Sequence, residues 1–292
     1  MVPLEGMPKI SLIILTYNSS RYISDLLTGL MNRFDKELVN KALEILVADN
    51  ASQDETVKLA KKFKKIQVIE NGGNYGFAKG NNLAVKKATG EYLLFINPDA
   101  KFIDGDIFEL LKSFKDEKVG IVGGEIMNWQ KEKELSCGKF YKFFSTTLLT
   151  LGLEEFFRVR FSPEKEQFVD FVSGGFLMIR REVFEKLNGF DENYFMYIED
   201  SDLCFRAKKI GYKTKFSPKA TIQHMGQGSS NRTFAIINIY KGLVYFNKKH
   251  SNYLEYLFVR FALKTKALLL VILGKIMNNR YLVDTYSVAM KL

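Results

Sequence analysis

Short apolar runs and amphipathic stretches alternate along the first hundred residues. ISLIIL (10–15) is an aliphatic run of the kind that fills a strand buried on both faces, and helical periodicity follows from about Ser20. EILVAD (44–49) repeats the apolar run. The SQDETVKLAKKF segment after it carries Ser52 and Glu55 at capping-box spacing, which predicts Ser52 as a helix cap. IQVIE (66–70) is a third strand, a glycine-rich turn leads to a helix near 79–89, and EYLLFIN (91–97) is a fourth strand. Strands and helices alternating at this spacing predict an α/β fold with a mostly parallel sheet wrapped by helices. In such sheets ligands gather beyond the carboxyl ends of the strands.

Further along, VGIVGGEI (119–126) reads as a strand, residues 127–165 are less regular, and FVDFVSGGFLMIRREVF (168–184) returns to strand then helix. A helix over 200–210 and the strand-like TKFSP end the organised core near His224. QGSSN (227–231) marks a boundary, so residues 1–229 are expected to form the catalytic domain and 230–292 a basic helical extension. Charge sharpens that division. Residues 1–229 hold 33 Lys/Arg against 31 Asp/Glu, whereas 230–292 hold 10 against 2, a concentration that marks an interaction surface. Between Tyr253 and Met277 the chain is strongly apolar but broken by Arg260, Lys264, Lys266 and Lys275. No uncharged run reaches the roughly 18 residues of a spanning helix. At helical spacing Lys249, Arg260, Lys264 and Lys275 share a stripe, which predicts a helix lying on an anionic membrane surface. The alternative is a helix packed on the catalytic domain or on a second subunit. Cys137 and Cys204 lack CxxC spacing, and the N-terminus lacks a basic n-region. A reducing, cytoplasmic setting without a signal peptide is therefore expected.

The candidate chemistry lies at the strand ends: TYN (16–18), ADNAS (48–52), NGGNYGFAKGNN (71–82) and NPDA (97–100). Asp49 follows a buried strand directly, where it could accept from a base N–H or a ribose hydroxyl, or simply start a loop. NGGNYGFAKGNN matches neither common phosphate-loop signature, but its residues tolerate positive φ, and Lys79 with the amides of Asn81 and Asn82 could serve a diphosphate. Asp99 sits just past a strand end, and a lone carboxylate beside a diphosphate suffices for Mg²⁺ or Mn²⁺. Asp104 is the expected cap of the next helix. YIEDSDLCFRAKK (197–209) sets Glu199, Asp200 and Asp202 ahead of an amphipathic run, which is either a helix start or the seat of a catalytic base. Ser173, Gly174 and Gly175 admit either close approach of a ligand to the backbone or a strand bulge. A sugar-nucleotide nucleotidyltransferase is the rival enzyme, but TYNSSRY lacks its glycine-rich opening. A non-catalytic nucleotide- or nucleic-acid-binding protein is suggested by the pI of about 9.3. Against nucleic acid, the basic residues cluster with Leu and Ile and form no recognised motif.

In order, TYN, ADNAS, NYGFAKGNN, NPD, SGGFLMIRREVF, GFDENYFMYIEDSDLCFR and a final histidine resemble the family 2 inverting glycosyltransferases of GT-A fold. The nearest likeness is to their rhamnosyltransferase-like branch, over roughly residues 9–228. The resemblance implies Thr16, Tyr17 and Asn18 framing the nucleotide and Asp49 bonding the base. It implies Asn74, Gly76, Lys79 and Asn82 beside the ribose and diphosphate, and Ser173, Gly174 and Gly175 facing the acceptor. Asp99 matches the last acid of the family's DxD metal motif, with Asn97 standing where many members have the first, and His224 matches a histidine completing that site. Asp200 occupies the position of the general base, with Glu199 orienting it or the acceptor, and Asp202 is left to helix chemistry. The implied protein moves a sugar from a nucleotide-diphosphate donor, dTDP-rhamnose or a UDP-sugar, to a saccharide or lipid-linked hydroxyl with inversion. It would use Mn²⁺ or Mg²⁺, serve cell-surface polysaccharide synthesis, bind no nucleic acid, and work in the cytoplasm at the inner face of the membrane. Its C-terminal helices would also be available for oligomer contacts.

Overall fold

Ile10, Leu12, Ile13 and Ile14 are wholly buried because β1 (Ile10–Thr16) runs through the middle of a sheet between two parallel neighbours. The computed structural model describes residues 9–225 and 231–292. From β1 the chain forms α1 (Ser20–Arg33), α2 (Asp35–Val39), β2 (Leu43–Asp49), α3 (Thr56–Ala60), β3 (Ile66–Glu70), α4 (Gly76–Val85) and β4 (Tyr92–Ile96). Next come β5 (Ala100–Gly105), α5 (Ile107–Leu110), β6 (Val119–Met127), β7 (Cys137–Gly138), α6 (Phe143–Thr150), β8 (Arg160–Phe161), β9 (Gln167–Val169) and β10 (Phe171–Val172). β11 (Phe176–Arg180), α7 (Arg181–Lys186), α8 (Glu199–Lys209) and β12 (Lys213–His224) complete the α/β part, and α9 (Arg232–His250), α10 (Tyr253–Ile276) and α11 (Arg280–Ala289) follow.

The main sheet has the order β3-β2-β1-β4-β11-β6-β12-β5, with β9 on β12. Its first four strands are parallel, as the alternating pattern predicts. β11 runs antiparallel to both β4 and β6, so the sheet is mixed beyond β4. The chain steps outward from β1 to β3 and then returns to the other side of β1 as β4. Such a reversal opens a crevice at the carboxyl ends of the strands.

Three local expectations are corrected. Ser52 does not cap α3: its hydroxyl donates to Asp49 Oδ1 at 2.5 Å, and the Asp54 carboxylate accepts from Thr56 N instead. A side-chain turn closed by Asp49 replaces the capping box, with Ser52 N and Oγ both donating to the Asp49 carboxylate. Asp104 is not a cap, because residues 100–105 form an edge strand on β12; Asp106 caps α5, accepting from Phe108 N at 2.9 Å. The helix expected at 79–89 is α4, which starts inside the glycine-rich loop at Gly76.

The boundary expected at 229/230 falls in residues outside those described, as do residues 1–8, on which the signal-peptide expectation bears. The helices beyond it nevertheless join the α/β core. Leu243, Phe246, Val259, Leu263 and Ala267 belong to the same apolar cluster as Ile13, Phe95 and Phe190. Asn247, fully buried, donates to Tyr141 O at 2.8 Å. The predicted cationic stripe breaks up at Lys249, whose ammonium lies 2.7 Å from Asp191 and 2.8 Å from Asp202. The exposed side of α10 is instead apolar, with Phe261 69% and Ile276 77% exposed. No helix among the described residues is long and apolar enough to cross a membrane.

Candidate active site

A cavity of about 1120 Å³ opens at the carboxyl edge of the sheet. Its walls bring together Thr16, Tyr17 and Asn18 after β1, Asn74 and Gly76 at the start of α4, and Asn97 and Asp99 after β4. Ser173, Gly174 and Gly175 before β11, Glu199 and Asp200 at the start of α8, and His224 at the end of β12 line the same space. Residues more than 200 positions apart thus meet because four strands end on one edge.

Three predicted residues lie elsewhere. Asp49 is only 2% exposed, and its carboxylate is occupied by Thr16 Oγ1 at 2.8 Å, Ser52 N at 2.7 Å and Ser52 Oγ at 2.5 Å. It braces the wall from behind, and Asn50 lines the cavity in its place, bonded to Gly76 O at 3.0 Å. Asn82 spends its amide on the backbone of Phe190, donating to O at 2.9 Å and accepting from N at 3.0 Å. Lys79 reaches over the Tyr75 ring, 4.8 Å from its centroid, and stands 3.9 Å from Glu192. Neither Lys79 nor Asn82 is part of the cavity wall.

Asp99 is 4% exposed, and its Oδ2 lies 3.2 Å from His224 Nε2 but off the line of a hydrogen bond. That buried oxygen therefore has no hydrogen-bond partner. The other ring nitrogen, Nδ1, is 3.2 Å from Glu134 Oε1, a contact that sequence reasoning missed and that orients the ring. Burial alone would lower the His224 pKa, but carboxylates on both sides outweigh it and raise it to about 10. The place thus favours positive charge. Among the described residues no cluster of three or more His, Cys, Asp or Glu side chains has metal-site geometry. Asp99 and His224 fit a divalent cation only if a substrate supplies the remaining oxygens.

Asp200 sits in the first turn of α8, where the helix dipole favours negative charge. Its Oδ2 accepts from Gly174 N at 2.9 Å and its Oδ1 from Ser201 N at 2.7 Å. Burial raises its pKa, and those two N–H groups with the Arg160 charge oppose the rise. Glu199 is 5% exposed, and its Oε2 has no hydrogen-bond partner. Burial first, then the Asp200 charge, lifts its pKa well above the usual carboxylate range. Of the adjacent pair, Glu199 is raised the further, and the N–H donors of Gly174 and Ser201 favour the ionised form of Asp200. Asp202, assigned to helix chemistry by its sequence, is wholly buried and accepts from Arg206, Lys249 and His250 at 2.6, 2.8 and 2.7 Å.

The far wall escaped sequence reasoning. Tyr141, Glu154 and Arg160 come from the irregular 127–165 region and Lys266 from α10. The buried Arg160 Nε lacks a hydrogen-bond partner. Lys266 donates to Leu149 O at 3.1 Å, and burial depresses its pKa. A cation interrupting an apolar helical run was the one available signal that Lys266 points inward.

The geometry agrees with the comparisons. The family model "Glycosyl transferase family 2" matches residues 11–188, and "N-terminal domain of galactosyltransferase" matches 157–227. Rhamnosyltransferase WbbL of Escherichia coli K12 is 28% identical over 236 residues, 76% of this chain and 85% of that protein. N-acetylglucosaminyl-diphospho-decaprenol L-rhamnosyltransferase of Mycobacterium tuberculosis is 25% identical over 66% of this chain and 69% of its own length. Among solved structures, GalNAc-T7 with UDP, GalNAc and Mn²⁺ superposes with a TM-score of 0.67 at 16% identity, over 90% of this chain and 51% of that one. The fold is GT-A, and the nucleotidyltransferase and nucleic-acid readings find no support in these matches. With more than half its length under one family model, the chain belongs to glycosyl transferase family 2.

Proposed function

We propose that the protein is an inverting hexosyltransferase that uses Asp200 as general base on a nucleotide-diphosphate sugar, in cell-surface polysaccharide synthesis. The observation that carries this reading is the shared cavity: the half-buried Asp200 carboxylate, held by Gly174 N–H, faces the same space as the Asp99–His224 pair. An acceptor hydroxyl attacks the anomeric carbon as the bond to the nucleoside diphosphate breaks, and Asp200 takes the hydroxyl proton. No second nucleophilic carboxylate is needed, since a single displacement inverts the centre. Thr16, Tyr17, Asn18, Asn74 and Gly76 frame the donor, with Asn50 presented where Asp49 was expected. Asp99 and His224 would hold a divalent cation, Mn²⁺ or Mg²⁺, with Asn97 beside them on the cavity wall. Such an ion, when bound, neutralises charge on the leaving diphosphate. Rhamnose as the donor sugar rests on the relatives' names, and a thymidine or uridine diphosphate carrier on the family resemblance.

The same reading places the enzyme at the cytoplasmic membrane face with a lipid-linked acceptor. In its support, the apolar outer face of α10 adjoins α6 through a Phe143–Phe258 ring contact at 4.8 Å. Phe144, Leu151 and Phe156 are exposed nearby in sequence, at 63%, 66% and 81%. Large exposed apolar side chains gathered on α10 and in the segment beside it favour a protein or membrane contact.

Asp200→Asn is expected to lower sugar transfer by at least roughly a hundredfold while thermal-shift affinity for the nucleoside diphosphate stays the same; a fully active variant removes Asp200 from the chemistry. Chelation by EDTA is expected to suppress transfer and Mn²⁺ or Mg²⁺ to restore it, whereas full turnover in chelator would rule out an essential ion at Asp99 and His224. Phe261→Glu with Leu269→Glu should abolish co-sedimentation with vesicles containing anionic phospholipid. Unchanged pelleting would refute membrane contact through α10, and so would conversion of a solution dimer into monomer.

A further inference from the structure

The turn that delivers Asp200 is strained and is gripped from two sides. Tyr197 and Ile198 have φ values of 70° and 73°, the left-handed region that a β-branched residue adopts only when its surroundings impose it. On one side the missing side chain of Gly76 makes room: a Cβ there would stand 2.1 Å from Phe195 O, which also accepts from Phe77 N at 2.7 Å. On the other side is Gly242 of α9. A Cβ on Gly242 would stand 2.7 Å from Ile198 Cγ1 and 3.0 Å from Tyr197 O. About two helical turns further, Lys249 and His250 of the same helix meet Asp202, buried in the first turn of α8 two residues after Asp200. Helix α9 therefore touches the segment both just before and just after the carboxylate.

We propose that α9 of the C-terminal extension is a positioning element of the transfer site. Through Gly242 it holds the left-handed Tyr197–Ile198 turn, and through Lys249 and His250 it fixes Asp202, so that Asp200 meets Gly174 N–H in a single orientation. This inference rests on Asp200 being the base. None of the α9 residues it names lines the cavity, so the effect runs through Asp200 and not through substrate contact.

The test measures kcat, donor KM and thermal midpoint for Gly242→Ala, Lys249→Met, Ile198→Gly with Gly242→Ala, and Asp200→Asn. Displacing a reacting group by about an ångström costs on the order of a hundredfold, so Gly242→Ala should lose roughly ten- to a hundredfold in kcat with donor KM unchanged. Lys249→Met, at a partly exposed position, should show the same split if Gly242→Ala folds poorly. Adding Ile198→Gly removes the atom that the new methyl meets and suits glycine's freedom at positive φ, so it should recover part of the lost kcat. Unchanged kcat in both single variants overturns the positioning role while leaving the base intact. Loss of kcat without any recovery in the double variant, in step with thermal midpoint alone, reduces α9 to a general stabiliser and also overturns it. An active Asp200→Asn enzyme overturns the base itself, and the inference with it.

Discussion

A carboxylate that is to accept a proton inside a protein must be both desolvated and ionised, and those demands oppose each other. Asp200 meets them through the N–H of Gly174, the N–H of Ser201 and the charge of Arg160. Each comes from a different element. Gly174 belongs to the loop before β11, Ser201 to the first turn of α8, and Arg160 to a short strand in the irregular region. The neighbouring Glu199 leaves its Oε2 without a hydrogen-bond partner, and burial with the adjacent Asp200 charge lifts its pKa the further of the two. The arrangement is preorganised, because backbone donors need not move when charge on Asp200 changes.

The rest of the fold can be understood as holding those donors still. The reversal of strand order between β1 and β4 creates the crevice, and the antiparallel β11 inserted beside β4 brings Gly174 and Gly175 to its rim. Glycine is needed where neighbours crowd the backbone of this turn's supports, at Gly76 against Phe195 and at Gly242 against Ile198. The C-terminal helices share the core of the sheet domain, supply Lys266 to the cavity and anchor Asp202. They are a wall of the site as well as a candidate membrane surface.

What was legible in the sequence follows from how local each signal is. β1, β2 and β4 were readable because buried parallel strands are continuous apolar runs, β3 as an alternating edge strand, and the polar groups at their ends follow from strand direction alone. Asp99, Asp200 and His224 stood out only as an ordered set resembling a family. Asp104 and Ser52 were misjudged because short polar side chains have several backbone partners within reach, and only the fold selects among them. Glu134, Arg160 and Lys266 were invisible for another reason. Their partners are remote, as with Glu134 and His224, 90 positions apart, and no periodicity encodes such a pairing. The cationic stripe on the tail failed similarly, since Lys249 faces two acids that helical geometry alone cannot reveal.

The most direct measurement of the claim that Asp200 acts as an ionised base, tuned by its surroundings, is the pH dependence of kcat in the wild type and in Arg160→Met. Burial raises the Asp200 pKa and Arg160 holds it down, with Glu199 as the other acid facing it. Turnover should therefore fall as pH drops through that ionisation. Removing the Arg160 charge should move the acid limb to higher pH, because the anion loses a stabilising neighbour. An acid limb that stays in place in Arg160→Met, or a wild-type profile that is flat on the acid side, would contradict the account.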